Sequence, residues 1–206
     1  MFLDPKQTLY TCKQKNCKSC NVPGEISCHF SLKQLLHFLS IAIPPFFIGF
    51  MGLHYGLYKW NVLAIWLGII IAFFGFIEIR VMCSHCPHYA EPELKNLKCW
   101  ANYGSPKVWK YRPGPMTKTE TVIFLTCLTI VFLYPIPLFF LKQQWFFTII
   151  HLLTVTAFFS TLKSCICIKC MNFACPLNSV EEKSRNKFFK QNPRVAKAWG
   201  KHFEDL

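Results

Sequence analysis

Residues 34–58 read QLLHFLSIAIPPFFIGFMGLHYGLY and residues 60–77 read WNVLAIWLGIIIAFFGFI, runs of 25 and 18 positions without one Asp, Glu, Lys or Arg, separated by Lys59 alone. Two more such runs follow at residues 121–141 and 143–162, separated by Lys142 alone. At ~1.5 Å of rise per residue, ~20 apolar residues cross a ~30 Å hydrocarbon core. Backbone in lipid must bond to itself, so each run is predicted to be a transmembrane helix rather than a strand. Single-residue spacers make the four helices two tight hairpins.

The remainder of the chain supplies the charge. Of 23 Lys and Arg, all but Lys59 and Lys142 fall on the side that holds the N-terminus, the loop between the hairpins and the C-terminal tail. An excess of base marks the cytoplasmic side, so both termini are expected in the cytoplasm and the protein in the cell membrane, multi-pass. The first 33 residues are polar and hold four cysteines before any apolar run, which is not the order of a cleavable signal peptide. A net charge of +13 would suit a nucleic-acid partner, but topology and attraction to anionic headgroups account for it, so lipid is the expected partner. With 52% hydrophobic and 16% charged residues, a disordered chain is excluded.

The predicted fold class is therefore an all-α integral membrane protein. A four-helix transmembrane bundle of two hairpins carries a small Cys-rich, metal-stabilised cytoplasmic cap. Its segments are 1–33 (Cys-rich), 34–82 (hairpin 1), 83–120 (Cys/aromatic loop), 121–164 (hairpin 2) and 165–206 (Cys-rich motif and amphipathic tail). Pro44, Pro45, Pro135 and Pro137 interrupt the first and third spans and should kink or end those helices.

Eleven of twelve cysteines lie on the cytoplasmic side in three groups: Cys12, Cys17, Cys20 and Cys28; Cys83, Cys86 and Cys99; Cys165, Cys167, Cys170 and Cys175. Each group holds one Cys-x2-Cys pair, a gap that turns two sulfurs toward one centre, as tetrahedral metal and iron–sulfur sites require. The twelfth, Cys127, reads as an apolar filler within the third span. Twelve is an even number, but a reducing cytoplasmic face disfavours lasting disulfides. The run Cys167, Cys170, Cys175, Pro176 resembles the bacterial ferredoxin run, with one extra residue before its last cysteine. The expected cofactor is an iron–sulfur cluster of the 4Fe–4S kind, with zinc as the alternative; His29, His85 and His88 are possible further ligands. Cys83 and Cys165 sit at span ends, which places such a centre at the membrane surface.

Three other features bear on chemistry. His54 and His151 fall in the outer half of the bundle, where they are candidates for a haem or a quinone. Glu78, near the end of the second span, and His37, one turn inside the first, are candidates for a proton path, while Arg80 is expected to reach the headgroups. The loop from Trp100 to Pro115 interleaves aromatics with base and reads as an interfacial belt. In the tail, Ser179 and Glu182 fit a capping box, and Asn192-Pro193 opens a short helix with Val195, Trp199 and Phe203 on one stripe.

In layout, four spans beside cytoplasmic cysteine clusters, the chain is similar to the membrane iron–sulfur subunits of quinol dehydrogenases. It is also similar in layout to the protein palmitoyltransferases, whose Asp-His-His-Cys signature it lacks. The expected function is an electron relay between a cytoplasmic redox protein, or a larger membrane complex, and a membrane carrier such as a quinone. That would make it an oxidoreductase or a subunit of one. The alternatives are a zinc-stapled scaffold or assembly factor, and a membrane thiol enzyme acting through a spare cysteine such as Cys165 or Cys28.

Overall fold

The structure, a computed structural model, describes residues 22, 24–28, 30–55, 60–90 and 95–201. Cys12, Cys17, Cys20, His29 and Phe203 lie outside the described residues. The described chain is helical, with two isolated bridges and no strand.

The charge-free runs form four helices long and apolar enough to cross a membrane, at Leu32–Tyr55, Trp60–His85, Lys118–Leu141 and Trp145–Lys169. The first is α1. The second comprises α2 (Trp60–Ala72), a π-helical turn (Phe73–Ile77) and α3 (Glu78–Val81). The third divides into α4 (Lys118–Leu133) and α5 (Pro135–Leu141), and the fourth is α6 (Trp145–Thr161) followed by a second π-helical turn (Leu162–Ile166). α1 packs chiefly on α6, and the second span packs on α4 through its π-helical turn and α3 while α2 also lies against α1. Large apolar side chains such as Ile43, Phe47, Ile71, Val122 and Leu153 stay exposed along the spans, the surface lipid would cover.

A close approach fixes the half of the bundle away from the loop between the hairpins. A Cβ on Gly49 would stand 2.6 Å from Trp66 Cη2, and one on Gly52 2.5 Å from Phe139 Cζ, so only glycine lets these rings lie against α1. α1 passes through Pro44 and Pro45 unbroken, whereas Pro135 separates α4 from α5. Pro135 has no N–H to offer the carbonyl of Val131 four residues earlier. The Trp66 indole donates to that carbonyl instead, at 2.9 Å, and His151 Nε2 donates to the next one, Phe132 O, also at 2.9 Å.

α4 starts with a reciprocal capping box. Glu120 N donates to Thr117 Oγ1 at 3.2 Å, and Thr117 N donates to Glu120 Oε2 at 3.0 Å. The box expected at Ser179 and Glu182 is not formed: Ser179 Oγ donates to Leu177 O, its N–H donates to Cys167 O, and α7 (Glu182–Gln191) starts beyond it. The cysteine turn thus claims the residue that the local pattern assigns to the helix. α8 (Pro193–Ala198) does open at Asn192-Pro193. Its apolar stripe is covered from within the chain: Val195 is buried, and Trp199 packs on Phe173 and Phe189, in a second apolar cluster that includes Ile26 and Cys86.

Candidate functional site

Two spans end in the same backbone device. After α3, Cys83–His85 forms a single 3-10 turn closed by Cys86 N–H on Cys83 O; after α6, Cys167–Lys169 does the same, closed by Cys170 N–H on Cys167 O. The residues entering the turns, Met82 and Ile166, have φ/ψ of −121/−55° and −111/−51°, and those leaving, Cys86 and Cys170, −74/136° and −75/126°. Each half then adds a third cysteine followed three residues later by an asparagine that returns to the turn of its own half. Asn102 Nδ2 donates to Cys83 Sγ at 3.3 Å, and Asn178 Nδ2 donates to Cys170 O at 2.7 Å.

Six thiols, those of Cys83, Cys86, Cys99, Cys167, Cys170 and Cys175, line one cavity of about 120 Å³ at this end of the bundle. Backbone amides are directed at the sulfurs: those of Ala101, Asn102 and Trp100 at Cys99, that of Asn172 at Cys170, and those of Leu177 and Asn178 at Cys175. Burial pushes the Cys99 thiol up and the Cys175 thiol up to about 12. Burial and then the neighbouring thiols Cys86, Cys99 and Cys175 raise Cys170 well above its ordinary value. The amides favour thiolates that burial disfavours, and a cation held among the thiols would offset that cost. Among the described residues no group of three or more His, Cys, Asp or Glu side chains is gathered as a single-ion site.

A charged latch holds the first turn. Arg112 Nη1 pairs with Glu120 Oε1 at 2.6 Å, and Arg112 Nη2 donates to Arg80 O at 2.6 Å and to Ser84 Oγ at 3.1 Å, while its backbone N–H donates to Ser84 O. Glu120 also faces His85 Nε2 at 3.4 Å and Arg80 at 3.6 Å. Arg80, expected to reach the headgroups, is thus part of the latch, with Trp109 against its guanidinium at 5.7 Å. The second turn has no comparable cluster of ion pairs among the described residues. It is tied by Ser27 N–H on Lys169 O and by the Asn178 and Ser179 bonds.

The remaining candidates are distributed unevenly around this centre. His88 lines the cavity, while His85 Nδ1 donates to Gly114 O and its other nitrogen faces Glu120. Glu78 lines the cavity, 7% exposed, hydrogen-bonded to the Asn102 side chain, with Oε2 buried and unpartnered. His37 is exposed, and its neighbour Phe38 takes the cavity wall. Cys165 is exposed and is not among the cavity-lining residues; Cys28 packs on the second cluster and Cys127 on the main core. None of the nine described cysteines is in a disulfide. The outer histidines serve different surroundings: His54 is exposed and stacked on Phe50, whereas His151 is 1% exposed and committed to Phe132 O. Trp100, assigned to an interfacial belt by the sequence, is buried against Phe38 and lines the cavity, although Tyr103 is exposed.

Asn102, Asn178, Arg112 and Glu120 went unrecognised in the sequence. The two asparagines had a signal, the repeated Cys-x2-Asn at Cys99 and Cys175; the latch had none, since its partners meet only once the loop closes on α4. No family model, no curated protein and no solved structure matches this chain.

Proposed function

We propose that this chain is a multi-pass membrane iron–sulfur protein that relays electrons between a redox partner on the cytoplasmic side and a carrier dissolved in the membrane. The observation that carries this reading is the meeting of six thiols, from segments separated by the whole second hairpin, around one cavity at a span end. Four thiolates suffice for a 4Fe–4S cluster. A zinc ion needs all four of its ligands ~2.0–2.3 Å from one point, whereas a 4Fe–4S cluster takes each thiolate on a different iron. The Cys-x2-Cys spacings and the single cavity that six thiols line together support the cluster. Amide donors to the sulfurs are one of the levers that set a cluster's potential. Basic crowding on this side supports a cytoplasmic orientation.

Anaerobically purified full-length protein is expected to absorb at about 400 nm, to bleach on reduction, and to hold iron and acid-labile sulfide in equal amounts. Colourless protein with stoichiometric zinc would overturn the relay in favour of the stapled scaffold.

A further inference from the structure

The thiols occupy only one wall of the cavity. The other walls are aromatic and run down into the spans: Phe38, Ala42 and Phe46 follow one another at i, i+4, i+8 along α1, and Phe132 and Phe158 face them from α4 and α6. Eight residues of helix cover about 12 Å, so the lining reaches from the thiol end well into the apolar part of the bundle. The rings form a continuous set, with Phe132 stacked on Phe158 at 5.2 Å, Phe46 tilted against Phe132 at 5.2 Å and Phe38 near Phe158 at 6.2 Å. On the same scale a single water takes ~10–15 Å³, so about 120 Å³ is room for a molecule rather than a packing defect. Between the aromatic walls and the thiols stands Glu78, whose buried Oε2 has no partner. An orphaned oxygen in so apolar a place is an unused hydrogen-bonding position.

From this we infer that the aromatic half of the cavity is the binding site of a lipid-soluble quinone/quinol carrier. Its ring lies against the wall formed by Phe38, Phe46, Phe132 and Phe158, and a hydroxyl of the reduced form donates to Glu78 Oε2. This rests on the relay reading and locates its membrane partner. A flat ring suits aromatic walls, a hydroxyl suits the orphaned carboxylate oxygen, and both put the ring beside the thiol centre. When a quinol is oxidised there, two O–H bonds break, giving the quinone, two electrons and two protons, the first taken up by Glu78 Oε2 and both released to water. The electrons would leave one at a time to an iron centre held by the thiols and pass on to a soluble one-electron acceptor.

The test uses full-length protein in nanodiscs, radiolabelled decyl-ubiquinol under anaerobic conditions, and iron measured separately on every sample. Expected are saturable binding at one per chain, a loss of about tenfold or more in Ala42→Phe, which fills the cavity, about tenfold weaker binding in Glu78→Leu, and recovery of most of it in Glu78→Gln. Absence of saturable binding, or equal binding in all four proteins, overturns the site. If the variants fold poorly, an azidoquinone on the unaltered protein decides: label on residues 38–46, 124–132 or 158–162 upholds the site, and label confined elsewhere overturns it. Iron-loaded protein that binds no quinol removes this site and leaves the relay standing. Iron-free protein whose saturable binding the variants abolish removes the relay and leaves the site.

Discussion

The two cysteine turns have nearly the same backbone and are secured by different means. The first, at Cys83 to Cys86, is gripped by Arg112, Glu120 and Arg80, while the second, at Cys167 to Cys170, is held by backbone amides and Asn178. What they share, two sulfurs turned inward and a third cysteine with its asparagine, is what a thiolate centre needs. What differs belongs to each turn's surroundings: the first is followed by a loop that must fold back over the span, the second by a chain that leads directly into α7. The difference separates the requirements of the site from those of its support.

If the shared part is the site, breaking either half should be equally damaging. Cys83→Ser and Cys170→Ser are each expected to cost most of the bound iron, the largest effect predicted, while Cys165→Ser and Cys127→Ser leave it intact; iron and sulfide analysis of the four variants checks this. Iron retained in Cys170→Ser but lost in Cys83→Ser would mean that one half holds the metal alone. If the differing part is support, Glu120→Gln should weaken only the first turn. Loss of a hydrogen-bonded charge is expected to cost about 2–3 kcal/mol of stability in detergent, with proteolysis rising first in residues 95–116 and not in residues 171–201.

The spans were legible because lipid imposes one rule along ~20 consecutive residues: charge is absent, and its absence is visible residue by residue. The gathering of the loop and tail cysteines was legible for a related reason, since two hairpins return both segments to one side. The support was not legible. Thr117 with Glu120 and Ser179 with Glu182 present the same local pattern, yet only the first caps a helix, because Ser179 is drawn onto Cys167 O by the turn beside it. His151 looked like a cofactor ligand for want of any visible partner; the partner is a backbone carbonyl beside the Pro135 kink, which no side-chain pattern announces.

That kink gives a control far from both turns. Trp66→Phe removes the donor to Val131 O together with Cη2 and Cζ2, the atoms that lie against Gly49. A buried carbonyl left without its partner is expected to cost about 1–3 kcal/mol, read as a lower midpoint of unfolding in detergent, with iron content unchanged. Iron lost together with stability would show that the Gly49 half of the bundle and the thiol end do not behave as separate supports.

The smallest effect should come from the ion pair that the described residues form near the second turn. Lys187 Nζ donates to Glu25 Oε1 at 2.6 Å, joining α7 to the segment whose Ser27 pairs with the Cys170 turn, and the side chains of both partners are more than a third exposed. The Lys187 hydrogen bond, then that from Ser184, holds the Glu25 carboxyl below its ordinary value. A carboxylate whose folded pKa is lowered adds stability above its ordinary range, and the contribution disappears as pH falls through the lowered value. Lys187→Met should therefore bring the Glu25 titration, followed by carboxyl NMR, back toward the ordinary range. An exposed pair contributes little, so iron content and unfolding midpoint at neutral pH should hardly move. If this variant instead destabilises the protein as much as Glu120→Gln does, the second turn is held by charge after all, and the contrast between the two turns is lost.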